Sequence, residues 1–179
     1  MTLVTPVETG VSLEALLRAK DHRAARQADC LAQYYNTVIS LTLVTPGEVK
    51  DSIRYRNTMG VALQACDQLL WQQGWNTLDR QVIWLPTGPE ALWCVDHVAT
   101  DVKALCMQLE QTHPLGRLWD IDVFCPQQGL ISRKALGGGK RRCLLCDEPA
   151  HACARSRRHS PEQVIARVEA VIDDWFTRD

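Results

Sequence analysis

No run of about 18 uncharged apolar residues occurs anywhere in the chain, so the sequence offers no membrane-spanning helix. The first residues, MTLVTPVETGVSLEALL, lack the basic stretch and apolar core of a secretory leader, which points to a cytoplasmic location. Net charge is nearly absent too: 20 Lys and Arg face 21 Asp and Glu, for −1. No global field therefore draws the protein onto nucleic acid or an anionic bilayer, and any phosphate-binding surface must be local. Internal repeats, low-complexity tracts and Pro- or Ser-rich linkers are missing, so residues 1–179 read as one domain.

What is present is 46% hydrophobic and 23% charged residues over a length of 179, which excludes a disordered tail or a coiled coil. A chain of this size buries roughly 70% of its unfolded surface, enough for a core without covalent staples. The eight cysteines then read as thiols in a reducing compartment rather than as a disulfide framework. Cys30, Cys66, Cys94, Cys106 and Cys125 lie scattered in apolar or helical stretches and are expected to pack as small hydrophobes.

Periodicity predicts a mixed α+β fold, a sheet with flanking helices. Ser12 is an N-cap for a helix to about Gln27, with Leu13, Leu16 and Leu17 on one face and Arg18, Lys20, Arg23 and Arg26 elsewhere. The β-branched run Thr37 to Val44 is a strand stopped by Pro46-Gly47. A helix from Tyr55 to Gln73 ends at Gly74, and strands follow near Gln81 to Leu85 and Ala91 to Val98. Thr100 is read as the cap of a helix whose stripe is Val102, Leu105, Cys106 and Leu109. Leu118 to Cys125 is a strand that Gly129 turns back into Leu130 to Ser132. Ser160, Pro161 and Gln163 open a last helix with a capping box.

Asp120 and Asp122 are the most informative pair, because they sit two apart in an otherwise apolar strand. Period-two geometry puts both carboxylates on one face and Trp119, Ile121 and Val123 on the other. Like charges roughly 7 Å apart on a half-buried surface call for a cation, and Mg²⁺, which takes carboxylate oxygens and substrate phosphates, fits best. By spacing alone, solvated aspartates paired with arginines such as Arg117 are an equal reading. The Gly116-Arg117 turn upstream favours the metal-phosphate reading, since it places a backbone approach point and a guanidinium beside the carboxylates. His113 is either a phosphate donor or general base, or a structural hydrogen-bonder before Pro114.

A second constellation is Cys143-x2-Cys146-x6-Cys153-x5-His159, four ligands of the type and number that a closed zinc site uses, with His151 as an alternative to His159. Ordinary thiols are the competing reading. From Arg133 to Arg158 eight basic residues meet two acids, Asp147 and Glu148, for a local +6 that leaves −7 on the rest. This Cys-rich basic segment, at about 133–159, flanks Gly137-Gly138-Gly139. Such a strip suits a polyphosphate or an acidic protein partner.

Taken together, SLEALLRAKDHRAARQ, SLTLVTPGEVKDS, HPLGRLWDIDV, SRKALGGGKRRCLLC and CARSRRHS resemble apo-citrate lyase phosphoribosyl-dephospho-CoA transferase, the holo-acyl-carrier-protein synthase of bacterial citrate lyase. The resemblance runs in order from about Ser12 to Ser160. It implies transfer of the phosphoribosyl-dephospho-CoA unit from 2′-(5″-triphosphoribosyl)-3′-dephospho-CoA to a serine of the citrate lyase acyl carrier protein, its gamma subunit, with release of pyrophosphate. It also implies kinship with the malonate decarboxylase counterpart and, more distantly, with polymerase-beta-like nucleotidyltransferases. On that basis Asp120 and Asp122 become Mg²⁺ ligands.

Such enzymes usually begin this motif with Gly-Ser, where this chain has Gly116-Arg117, so Arg117 and the amides near Gly116 are expected to hold the triphosphate. A third carboxylate is expected on a later strand, and none stands out after Asp122. Arg23, Arg26, Lys50, Arg133 and Arg155 match basic positions of the family and are candidate phosphate contacts, with plain exposed charge as the alternative for each. Thr87, Gly88 and Glu90 fall in a family-like stretch without a role of their own. The competing function is a non-enzymatic zinc module that binds nucleic acid through the basic segment. The strip lacks the interleaved aromatics of single-strand binders, which counts against it.

Overall fold

A computed structural model describes residues 8–178; the first seven residues, on which the reading of the N-terminus partly rests, lie outside it. Helix α1 (Leu13–Tyr34) leads into strand β1 (Thr37–Leu43), followed by α2 (Ile53–Gln73), β2 (Asn76–Ile83), β3 (Glu90–Asp96) and α3 (Ala99–Thr112). A short 3₁₀ turn, Gly116–Leu118, then feeds β4 (Trp119–Cys125), β5 (Gly129–Leu130), α4 (Ala150–Ser156) and α5 (Pro161–Phe176). The strands form one antiparallel sheet in the order β2-β3-β1-β4-β5. No described helix is long and apolar enough to cross a membrane.

The two faces of the sheet differ because the strands alternate. Ile39 and Leu41 of β1, Trp93 and Val95 of β3, and Trp119, Ile121 and Val123 of β4 are all buried in one cluster with residues of α2, α3 and α5. The opposite face carries a smaller cluster, Cys30, Val38 and Leu92, with Leu31 and Phe124 against it, beneath α1. That face is only part covered, and Ser40, Thr42, Glu90, Asp120 and Asp122 give it a polar region.

Local signals explain most boundaries. Ser12 caps α1 by accepting from the Ala15 amide at 3.2 Å, and Ser52 caps α2 in the same way through Tyr55. Gly74, at φ +66°, ends α2, and the capping box of Ser160 and Gln163 is formed at α5. Helix α1 runs past Gln27 to Tyr34, since nothing in Ala28 to Tyr34 breaks it, and it closes on Tyr35 in the left-handed region at φ 49°. β2 begins five residues earlier than the alternation suggests, with an irregularity between Thr77 and Asp79.

Three expectations are corrected. Thr100 does not cap α3: Val98 holds that position without a side-chain bond, and Thr100 lies exposed in the first turn. The buried stripe of α3 is Ala99, Val102, Lys103, Cys106, Met107 and Glu110, so the helix is rotated from the purely apolar stripe and takes two charges inside. Cys125 is only half-buried, its thiol donating to Gln127 Oε1 at 2.9 Å, whereas Cys30, Cys66, Cys94 and Cys106 are buried.

Candidate functional site

The polar face of the sheet gathers its residues in rows. Ser40 pairs with both Leu92 and Asp122, and Thr42 pairs with Asp120, while Glu90 lies one residue before Ala91, the partner of Leu41. Alternation therefore puts Glu90, Thr42 and Asp120 in one row and Leu92, Ser40 and Asp122 in the next, all facing α1. Glu90 and Asp120 flank Thr42, about 10 Å apart by two strand spacings. Asp120 is exposed and Asp122 half-buried, while the three apolar residues that alternate with them are fully buried on the far side.

Over this face α1 lays a stripe that is polar rather than apolar. Arg23 donates to Glu90 Oε1 at 2.7 Å, Arg26 bonds Glu90 Oε2, and Gln27 donates to Ser40 Oγ at 2.8 Å. Glu90 is only 5% exposed. A carboxylate so buried needs partners, and it draws both guanidiniums inward from the surface where helical periodicity alone would leave them. A cavity of about 350 Å³ opens beside it, lined by Arg23, Lys50, Thr42, Gly88, Glu90 and Asp120 among others. Gly88 sits at φ +111°, a conformation that glycine adopts freely, where the turn closes by a bond from its amide to the Leu85 carbonyl. Burial lowers the Lys50 ammonium pKa, and its Nζ bonds the Thr45 carbonyl.

The outer edge of β4 is unpaired by any strand before Phe124, and side chains occupy it instead. Lys103 Nζ donates to the Ile121 carbonyl at 2.8 Å, and the Ile121 amide donates to Glu110 Oε1 at 2.9 Å. Arg141 bonds both Glu110 and the Trp119 carbonyl, and its Nη1 lies 3.3 Å from Asp120 Oδ1. Arg133 pairs with the other oxygen of Glu110. Lys103 and Glu110 stand two helical turns apart on α3, so one helix face supplies both a donor and an acceptor to the strand edge. Burial pushes the Asp122 carboxyl above the usual carboxylate range, and the Asp120 charge adds to it; Lys103, Arg141 and Arg23 oppose the rise.

Residues 11–175 match the family model for apo-citrate lyase phosphoribosyl-dephospho-CoA transferase. The chain belongs to that family. Relatives of the same name from Escherichia coli O1:K1 and Citrobacter koseri are 37% and 36% identical to it over 164 residues, which is 92% of this chain and 90% of each relative.

In this transferase the structure brings only some of the sequence-predicted residues to the carboxylates. Asp120, Arg23 and Lys50 share the cavity, with Asp122 in the next row and Arg26 bound to Glu90. Arg117 points elsewhere: its guanidinium bonds the Arg142 carbonyl and lines a second cavity, so the guanidinium beside Asp120 belongs to Arg141. Gly116 is buried against α3, where a Cβ would come within 2.8 Å of the Glu110 Cα and closer still to its carbonyl oxygen. Close packing, rather than an open approach to phosphate, requires glycine there.

His113 lies on the opposite side of the sheet, its ring 4.4 Å from that of Trp119 and 4.9 Å from that of Trp175. Its Nδ1 accepts from the Leu115 amide at 3.0 Å, and burial lowers its pKa. Arg133 is spent on Glu110, and Arg155 lies exposed on α4, outside the cavity lining.

Sequence reasoning missed Glu90, Glu110, Lys103 and Arg141. The legible signal for two of them was Lys103 and Glu110, opposite charges seven apart on either side of Cys106; for Glu90 only pairing across β1 reveals the role.

The four predicted metal-type residues do meet. Cys143 Sγ, Cys146 Sγ, Cys153 Sγ and a ring nitrogen of His159 all lie within 4.8 Å of one another, and His151 is not among them. Cys143 and Cys146 sit on a tight hairpin closed by bonds from the Cys143 amide to the Glu148 carbonyl and from the Ala150 amide to the Arg141 carbonyl, both 2.8 Å. Cys153 is the buried residue of α4, and His159 directly precedes the capping box of α5.

Proposed function

We propose that this transferase moves the phosphoribosyl-dephospho-CoA unit of 2′-(5″-triphosphoribosyl)-3′-dephospho-CoA onto a serine of the citrate lyase acyl carrier protein, in a nucleotidyltransferase-type reaction that releases pyrophosphate. One observation carries the reading: Asp120 and Asp122 share the part-covered polar face of the sheet with a cavity that also holds Arg23, Lys50 and Glu90. The names of the relatives give apo-citrate lyase as the protein acted on and phosphoribosyl-dephospho-CoA as the group transferred.

The donor set fits a divalent cation. Asp120 and Asp122 offer hard oxygen ligands from adjacent same-face positions of one strand. They would hold Mg²⁺, which when bound neutralises phosphate charge and favours departure of pyrophosphate. In the transfer, the seryl oxygen bonds the α-phosphorus, the phosphoanhydride bond to pyrophosphate breaks, and the hydroxyl proton passes to water. Arg141 steadies Asp120 from the strand edge, Glu90 holds Arg23 in the cavity lining and also binds Arg26, and Lys50 adds a further cation to the lining.

The nucleic-acid reading is weakened by the basic segment itself. Arg133 and Arg141 are bound to Glu110, Arg142 pairs with Asp147, and Arg158 pairs with Glu148. Intact-mass analysis of the apo carrier protein, incubated with donor, tests the proposal. Modification should require Mg²⁺ and should vanish with Asp120→Asn; full modification by that variant would end the metal-transfer account.

A further inference from the structure

We infer that Cys143, Cys146, Cys153 and His159 hold a structural zinc ion that pins the segment delivering Arg141 to the edge of β4. The inference is independent of the transfer reading, because none of the four ligands touches the carboxylate face.

Geometry supports it first. A tetrahedral zinc with Zn–S near 2.3 Å separates two thiolates by about 3.8 Å and a thiolate from an imidazole nitrogen by about 3.6 Å. Here Cys146 Sγ lies 3.5 Å from Cys153 Sγ and 3.3 Å from His159 Nε2. A disulfide would bring two sulfurs to about 2 Å, and every cysteine of the chain is free. The Leu145 amide points at Cys143 Sγ from 3.5 Å, the kind of outer contact that orients and stabilises a ligating thiolate.

Charge supports it second. One zinc with three thiolates and a neutral imidazole carries a single net negative charge, and the adjoining cavity of about 740 Å³ is lined by Arg117, Arg141, Arg142 and Arg157 together with Cys143, Cys153 and His159. Arg141 and Arg142 already have carboxylate partners in Glu110, Asp120 and Asp147, and a monoanionic metal centre would add a negative charge beside Arg117 and Arg157. Topology supplies the purpose. Between the short strand β5 and helix α5 the described chain has a single 3₁₀ turn and one seven-residue helix, so few backbone bonds hold Arg141 and Arg142 in place. A metal closing residues 143–159 would constrain that stretch as a fold-coupled clip.

The test uses the full chain purified in reductant without added metal. Elemental analysis should find about one zinc per chain, with about three protons released when the metal-stripped protein is titrated with Zn²⁺. Cobalt substitution should give the intense visible absorption of tetrahedral thiolate-ligated Co²⁺, a readout that does not require any variant to fold. Cys146→Ser and His159→Ala should lose the metal, while His151→Ala should keep it. Absence of stoichiometric zinc, iron in its place, a Cys146–Cys153 disulfide in the intact mass, or full zinc retention by Cys146→Ser and His159→Ala would each overturn the inference. Zinc content unchanged in Asp120→Asn separates this site from the proposed Mg²⁺ site.

Discussion

Glu110→Gln isolates the charge that holds the edge of β4. The wild-type carboxylate is 3% exposed and meets Arg133, Arg141 and the Ile121 amide, so glutamine keeps the shape and an acceptor for that amide but removes the charge facing two guanidiniums. Removing one partner of a buried ion pair costs about 3–5 kcal/mol. The side chains of Arg133 and Arg141 are 20% and 25% exposed, and water screens part of that loss, which brings the expected cost to about 2–3 kcal/mol. For a chain of this length each kcal/mol moves Tm by about 2–4 °C, so the midpoint should fall by about 4–12 °C.

Calorimetry at neutral pH, with urea unfolding to check an unchanged m-value, measures the effect. Glu110→Ala should cost about 1–3 kcal/mol more, since the Ile121 amide is then left without its acceptor. In the Glu110→Gln background Arg133→Met should cost less than in the parent, because the interaction it breaks is already gone. A Glu110→Gln midpoint within about 1 °C of the parent would refute the idea that this network carries net charge stabilisation.

Asp122→Asn should abolish carrier-protein modification and yet melt higher than the parent at neutral pH in chelator. The Asp122 carboxyl is raised in the folded state, so its stabilising contribution is complete only below the ordinary carboxylate value and is lost as pH rises through the folded value. The advantage of the variant should therefore shrink on acidification, which a Tm series against pH would show. His113 behaves in the opposite sense: its pKa is lowered in the fold, so its contribution is present above about 6.5 and is lost as pH falls through the folded value. The parent should lose more stability than His113→Phe on acidification below that point. Gly116→Ala should cost about 1–3 kcal/mol by forcing the 3₁₀ turn off the Glu110 backbone; an unchanged Tm would show that the turn yields without strain.

The sequence by itself determined the α+β class, the caps at Ser12 and Ser160, and the placement of both aspartates opposite Trp119, Ile121 and Val123. These depend on residues within a few positions of one another, where helix and strand periods leave one solution. It also offered Cys143, Cys146 and Cys153 with either His159 or His151 as a cluster, and the hairpin and one short helix that fold the spacing onto a point bring in His159.

Tertiary structure alone decided which cations serve the carboxylates. Arg117 is three residues from Asp120 in the chain yet bonds the Arg142 carbonyl, while Arg141, 21 residues away, reaches Asp120 because unpaired strand-edge groups and buried Glu110 attract it. Arg23 and Arg26 read from the sequence either as phosphate contacts or as exposed charges on α1, and only the fold shows that Glu90, on a strand two places from β4, binds both. A buried charge chooses its partner by distance through space, and neither propensity nor period contains that distance.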